Sequence, residues 1–290
     1  MLTEHIIPSA VRPMPLTAYI RRAFPLLPGH AARDMLKKRD IRLDGQRVGT
    51  DVTVRGGMKL TLFIPGRYDP APADLLFDDG KLLVCVKPQG LPTDADRDGV
   101  GADTLLTRLQ KVYPNARLCN RLDAGTGGIV LAANDSEVYE QALDMFRAHS
   151  LTKVYDAVVK GGFRDGEGTL TGYLIKDAKA GTVRVIRHDQ PGSRLIETRW
   201  RLIGGDEKLA RVELTPVTGR THQLRAHMAD FGHPILMDDK YGDRTLNKGY
   251  TGQLRLWCRS IEIGAKSPLT AYRGKRFTAA APEWFAEEKQ

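Results

Sequence analysis

The chain has 290 residues, 41% hydrophobic and 27% charged, with a net charge of +9. That is enough apolar material to bury a core, which excludes a disordered chain, and no apolar run approaches the length of a membrane span; the best, Gly127–Ala133, is strand-sized. The start, Met1-Leu2-Thr3-Glu4-His5, has no cationic stretch followed by an apolar one, so no secretion signal is expected, and Cys85, Cys119 and Cys258, isolated and without metal spacing, are expected as reduced thiols of a cytoplasmic protein.

The charge is uneven. Residues 1–64 hold eleven Lys and Arg against five acids, so most of the net charge sits in under a quarter of the chain. A concentrated basic excess points to a polyanion, most often nucleic acid. In chain order, Pro15–Phe24 reads as a helix on the spacing of Leu16, Ile20 and Phe24. Ala31–Lys38 reads as a second, with Ala32, Met35 and Leu36 inward and Arg33, Lys37 and Lys38 outward. Ile41–Val48 is a strand–turn–strand centred on Asp44-Gly45, and Met58–Ile64 an alternating strand. This order resembles the small RNA-binding module of a small-subunit ribosomal protein and of tyrosyl-tRNA synthetases. The resemblance implies that Arg33, Lys37, Lys38 and Arg39 face RNA.

The proline-rich run at 65–74 has no periodicity and reads as a linker between a module at 1–64 and a domain at 75–290. Beyond it, Leu75–Phe77 and Leu82–Val86 flank Asp78-Asp79-Gly80 as a hairpin; Lys87–Pro92 is a loop, and Thr104–Val112 a helix. Ser136–His149 is an amphipathic helix. Strands follow at Lys153–Val159, Thr169–Leu174, Thr182–Ile186, Leu195–Leu202 and Leu209–Leu214. A helix is expected over Thr221–Phe231, then strands at Leu254–Ile263 and Arg276–Ala279. Consecutive strands without regular alternation with helices predict an α+β fold, a mostly antiparallel or mixed central sheet with flanking helices.

Three stretches carry candidate chemistry. Asn120-Arg121-Leu122-Asp123-Ala124-Gly125-Thr126-Gly127-Gly128 sets one carboxylate ahead of a glycine-rich turn; alone, such an Asp is an ordinary turn residue. Gly219-Arg220-Thr221-His222-Gln223-Leu224-Arg225 opens a helix for which Thr221 is the expected N-cap, with His222 and Arg225 on one face. His222 and His227 are five apart and do not align for a metal, even with Asp238 and Asp239 nearby, so no metal is expected. Lys153-Val154-Tyr155 opens a strand, where the phenol supplies a flat face and a polar tip.

Together, in this order, the three stretches resemble the RluA-type pseudouridine synthases. So do Lys87-Pro88-Gln89-Gly90, Gly232-His233-Pro234-Ile235 and Asp239-Lys240-Tyr241-Gly242; the likeness spans about residues 75–285. The resemblance implies a pseudouridine synthase-like fold and isomerisation of uridines in RNA, most of all ribosomal RNA, with transfer RNA second. It implies Asp123 as the catalytic aspartate, Tyr155 as the active-site tyrosine, Arg225 as the arginine paired with the aspartate, and Arg121 as the cation that takes the place of a flipped-out base. Asn120, Arg220, His222 and Gln223 are expected on RNA, and no cofactor is expected; a monomer is. In the reaction the C1′–N1 bond breaks, the uracil turns, and C5 bonds to C1′. Leaving the stack costs a few kcal/mol, which a cation in the vacancy partly offsets. The carboxylate serves as nucleophile on the sugar or as base at C2′, and the residues do not choose between these.

The chain departs from the family pattern at Asn120 (commonly His), Gly127 (Ser), Leu256-Trp257-Cys258 (Leu-His-Ala) and Met237 (Gly). Two other classes compete. A non-catalytic RNA-binding or ribosome-assembly factor suits the charge but does not require Asp123, Tyr155 and Arg225 together. A glycosidic hydrolase needs a second carboxylate in a comparable motif, and Glu197 and Glu213 have none around them.

Overall fold

A computed structural model describes residues 2–65, 68, 70–177 and 181–286; Gly66, Arg67 and Asp69 of the expected linker lie outside these. The chain divides into two units, residues 1–73 with 90–116, and residues 74–89 with 117–290.

The first unit contains β1 (Leu2–Ile6), β2 (Met14–Pro15), α1 (Leu16–Ala23), α2 (Gly29–Lys37), β3 (Ile41–Leu43), β4 (Gln46–Val48), β5 (Thr53–Val54), β6 (Lys59–Phe63) and α3 (Leu105–Gln110). Its main sheet has the order β1-β6-β3-β4, and β2 pairs β5. The apolar spacing read from sequence is the face each helix buries: Leu16, Tyr19, Ile20 and Ala23 on α1, and Ala31, Ala32, Met35 and Leu36 on α2. Asp44 and Gly45, both at positive φ (49° and 82°), turn β3 into β4 as an Asp-Gly hairpin requires. β1 was not expected. Leu2, Glu4 and Ile6 alternate with half-buried residues, and pairing with β6 recruits them rather than an apolar run of their own.

Residues 90–116, expected with the larger domain, pack with the N-terminal unit. Val100 joins its core, the Asp103 amide donates to the Ala23 carbonyl (2.9 Å), and Arg22 pairs with Asp96 and Asp98. α3 starts on a Thr104–Thr107 capping box.

The second unit is built on one sheet. Its strands are β7 (Asp74–Asp78), β8 (Leu82–Lys87), β9 (Arg117–Leu118), β10 (Gly127–Ala133), β11 (Leu151–Lys160), β12 (Glu167–Asp177), β13 (Thr182–Ile186), β14 (Arg194–Gly205), β15 (Leu209–Pro216), β16 (Leu256–Ile263) and β17 (Arg276–Thr278). The order is β13-β12-β14-β15-β11-β16-β10-β8-β7, with β17 on β16 and β9 on β10. β10 runs parallel to β16; among the described residues the other ladders of this sheet are antiparallel, the α+β fold expected. α4 (Ser136–Arg147), capped by Asp135, packs on β10, and α5 (Gln223–Asp230) on β13, β14 and β15; α6 (Arg244–Asn247) and α7 (Glu283–Ala286) are short. No described helix is long and apolar enough to cross a membrane.

Candidate active site

The Asp123 loop leaves β9 and enters β10, and backbone bonds fasten it there. The Cys119 amide donates to the Leu131 carbonyl (2.8 Å), the Leu131 amide to Asn120 Oδ1 (2.8 Å), and the Thr126 amide to the Asp123 carbonyl (3.0 Å). Asn120, expected on RNA, thus also anchors the loop. Two glycines are required by close approach. At Gly128 (φ 104°) a side chain would strike the Cys258 backbone, and at Gly127 it would overlap the Trp257 ring. The sequence departures at 127 and 257 therefore compensate: the missing side chain at 127 is the room that the indole fills.

From β8, Lys87 is fully buried, and its Nζ donates to the carbonyls of Pro88 and Ala124, both at 3.1 Å. Burial pushes its pKa down to about 7, against the pull of the Asp123 charge. The Gln89 side-chain amide donates to the carbonyls of Gly125 and Leu254 and braces the same turn.

Arg225 Nη1 lies 3.4 Å from Asp123 Oδ2. The guanidinium is itself locked: Nε and Nη2 donate to Asp238 Oδ2 and Oδ1 (2.8 and 2.7 Å), and Nη2 to Asp239 Oδ1 (2.6 Å). The side chains of Arg225 and Asp238 are 6% and 0% exposed, so neither charge is tolerated there without the other. Burial opposes both charges, yet the hydrogen bonds and mutual attraction prevail, holding Asp238 below the usual carboxylate range and Arg225 above its ordinary value. The amides of Lys240 and Tyr241 also donate to Asp238 Oδ1 (both 2.9 Å).

Thr221 is not the helix cap. His222 takes that position, in the left-handed region (φ 56°), and no side chain caps α5; His222 is therefore off the helix face it was expected to share with Arg225. Its Nε2 lies 3.8 Å from Asp123 Oδ2, and Nδ1 is 2.9 Å from the Tyr241 hydroxyl. Met237, another departure, also has positive φ (61°) where the common glycine would be unstrained.

Tyr155 lies on β11 just past a bulge at Val154/Tyr155 and is 7% exposed. Burial, then the neighbouring Cys258 and the charge of Asp123, push its phenol well above the ordinary value, so it is a neutral hydroxyl. Cys258 is its partner across the strands.

Gln223, expected on RNA, is 3% exposed. Its Nε2 donates to the Glu197 carbonyl and Thr198 Oγ1, while its Oε1 accepts from Thr218 Oγ1 and the Arg220 amide. It ties the loop before α5 to β14. Arg121 and Arg220 are exposed, as are Arg33, Lys37, Lys38 and Arg39 in the other unit, with Arg39 at φ 57°. The second unit thus assembles Asp123, Tyr155, Arg225 and His222 from distant parts of the sequence. Sequence reasoning missed the roles of Asp238, Asp239, Tyr241 and Lys87. The signal for Asp238 was an arginine on a helix whose residues 223–228 are all buried, since a buried guanidinium needs a carboxylate partner. Among the described residues no group of three or more His, Cys, Asp or Glu could hold a metal.

A sheet of this kind with a part-exposed carboxylate beside a buried arginine that further carboxylates lock in place defines a class. The family model for RNA pseudouridylate synthases matches residues 81–230, and the chain belongs to that family, isomerases that convert uridine in RNA to pseudouridine. Among its relatives is the ribosomal large subunit pseudouridine synthase C of Vibrio parahaemolyticus, 28% identical over 273 residues, covering 86% of this chain and 84% of that protein. The protein of the same name from Pasteurella multocida is 34% identical over 202 residues, covering 68% and 61%. In fold, the chain is similar to human RNA pseudouridylate synthase domain containing 1, with a TM-score of 0.61 at 22% identity over 76% of this chain and 86% of that one.

Proposed function

We propose that the second unit isomerises specific uridines of ribosomal RNA with Asp123 as the catalytic carboxylate. One observation carries this: among the described residues, the Asp123 carboxylate, 27% exposed on its side chain, is approached by a buried arginine that Asp238 locks in place. Asp123 Oδ2 takes that contact and the other oxygen faces the substrate. The carboxylate either attacks C1′, displacing N1, or takes the proton at C2′ as the C1′–N1 bond breaks; the uracil turns, C5 bonds to C1′ as the ester bond breaks or the proton returns to C2′, and C5 then loses its proton while N1 gains one. Atoms and charge balance without a redox partner. The neutral phenol of Tyr155 stacks on the uracil and helps move the C5 proton. Arg121, exposed beside Asp123, fills the place of the flipped base, which is a role for a cation on the rim and not in the core.

Arg33, Lys37, Lys38 and Arg39, exposed in the first unit, form its RNA-facing surface, so residues 1–64 serve as a binding module and the sheet-based unit as the catalytic one. The names of the relatives favour large-subunit ribosomal RNA over transfer RNA. The protein works as a cytoplasmic monomer.

The test is to map pseudouridine in total RNA by carbodiimide-blocked primer extension, with and without the gene. Loss of one or a few sites in large-subunit ribosomal RNA is expected. Asp123→Asn should fail to restore them, its rate falling roughly a thousandfold or more while RNA binding survives. A fully active Asp123→Asn protein overturns the mechanism. If no site changes in cells and the purified protein also fails on naked RNA, the assembly-factor reading replaces it.

A further inference from the structure

His222 is placed by unusual means. It is a non-glycine residue in the left-handed region at the mouth of α5, a conformation that costs of order 1–3 kcal/mol and persists where surrounding structure enforces it. The hydrogen bond that holds the ring is on Nδ1. Nδ1 meets the Tyr241 hydroxyl at 2.9 Å, and that oxygen already accepts the Val183 amide at 2.9 Å. With one donor already directed at the phenol oxygen, its own hydrogen is free to go to Nδ1, which makes Nδ1 an acceptor and leaves the ring proton on Nε2. Nε2 faces Asp123 Oδ2 at 3.8 Å. Tyr241 is held in turn by its amide bond to Asp238 and by the Arg225 guanidinium 5.3 Å over its ring. The charged and titratable groups facing His222 are Asp123, Arg225, Lys240 and Asp238. Burial lowers its pKa first; Arg225 and Lys240 add to that and Asp123 opposes it, so the ring is neutral near pH 7.

Arg225 and His222 both make their approach to the carboxylate at Oδ2, at 3.4 and 3.8 Å. We propose that His222 is a positioning residue: Tyr241 fixes it in the tautomer protonated at Nε2, it donates to Asp123 Oδ2 as the site closes on RNA, and the two donors on Oδ2 leave Oδ1 as the reacting oxygen. This deepens the reading of Asp123 as the catalytic carboxylate and rests on it. A shortening from 3.8 Å is ordinary for catalytic hydrogen bonds, which tighten in the substrate complex.

The test combines a spectrum with kinetics. Nitrogen-15 spectra of ring-labelled histidine in the full protein should show His222 neutral at pH 7, protonated at Nε2 and accepting at Nδ1. In single-turnover assays on a ribosomal RNA transcript, His222→Ala should lose about tenfold in the isomerisation step with little change in RNA affinity, as expected for removing one hydrogen bond to a charged group. His222→Gln, whose amide N–H can reach where Nε2–H lies, should recover most of that rate. Tyr241→Phe, checked by melting temperature for an intact fold, should let the ring change tautomer and slow the step by a similar factor. A ring protonated at Nδ1, or His222→Ala at the wild-type rate, overturns the proposal. Activity retained in Asp123→Asn instead sinks the reading beneath it, and the spectrum separates the two failures, since it requires no turnover.

Discussion

The cations of helix α2 and those around Asp123 are chemically alike and physically opposite. Arg33, Lys37, Lys38 and Arg39 are exposed to solvent, where salt screens them. Arg225 and Lys87 are buried, and each exists as an ion or near-ion only because carbonyls and carboxylates were folded around it. The first arrangement suits a partner whose charge is repeated and whose sequence is not read. The second holds one oxygen in one place. Location, more than residue type, decides which task an arginine performs.

The comparison is sharpest at Arg225. Arg225→Met should leave Asp238, wholly buried, without its counter-charge. A drop of about 3–5 kcal/mol in stability to urea is expected, together with loss of isomerisation even where the fold survives at low temperature. A Met variant as stable as the wild type would show that the network is not cooperative. Next comes His227, 2% exposed, with Nδ1 at 3.1 Å from the Thr198 hydroxyl and Nε2 buried without a partner. Burial lowers its pKa from 6.5 to about 4. The folded state therefore excludes a proton that the unfolded chain accepts: the contribution is present above pH 6.5 and lost as pH falls through the window down to about 4, up to about 3 kcal/mol. Unfolding at pH 7 and pH 4.5 should show a smaller acid penalty in His227→Asn than in the wild type.

Smaller is the effect at the glycine turn. Gly127→Ser forces a side chain into the Trp257 ring, at an expected cost of about 1–3 kcal/mol. Adding Trp257→His should return part of it, a coupling that additive single effects would refute. The smallest change per residue belongs to the solvated side. Reversing Lys37, Lys38 and Arg39 together should weaken RNA binding and leave single-turnover rates at saturating RNA almost unchanged. The salt dependence of binding should become shallower by about one unit of slope for each phosphate no longer neutralised. An unaltered salt slope would remove α2 from the RNA surface.

Much was legible because it is local. Helical and alternating spacings located α1, α2, α4 and the longer strands to within a few residues, β1 excepted, since the faces that must be buried repeat at 3.6 and 2 residues. The ordered motifs pointed to Asp123, Tyr155 and Arg225 because short stretches of chain carry them whole. What failed was long-range. Residues 90–116 joined the N-terminal unit through Val100 and Asp103, interactions that no periodicity encodes. Nor did any spacing show that the amides of Asn120 and Gln223, which the resemblance places on RNA, close hydrogen bonds to distant backbone groups. His222 replaced Thr221 at the cap because Tyr241, nineteen residues on, holds its ring.

The sequence by itself determined most of the elements and, through its ordered motifs, the family likeness, for these lie in short stretches of chain. Only the tertiary structure decided that Asp238 clamps Arg225, that Gly127 makes room for Trp257, and that Arg225 comes within 3.4 Å of Asp123. Such arrangements depend on which strands become neighbours, and a parallel pairing between β10 and β16, more than a hundred residues apart, is fixed by the whole buried core and not by either segment alone.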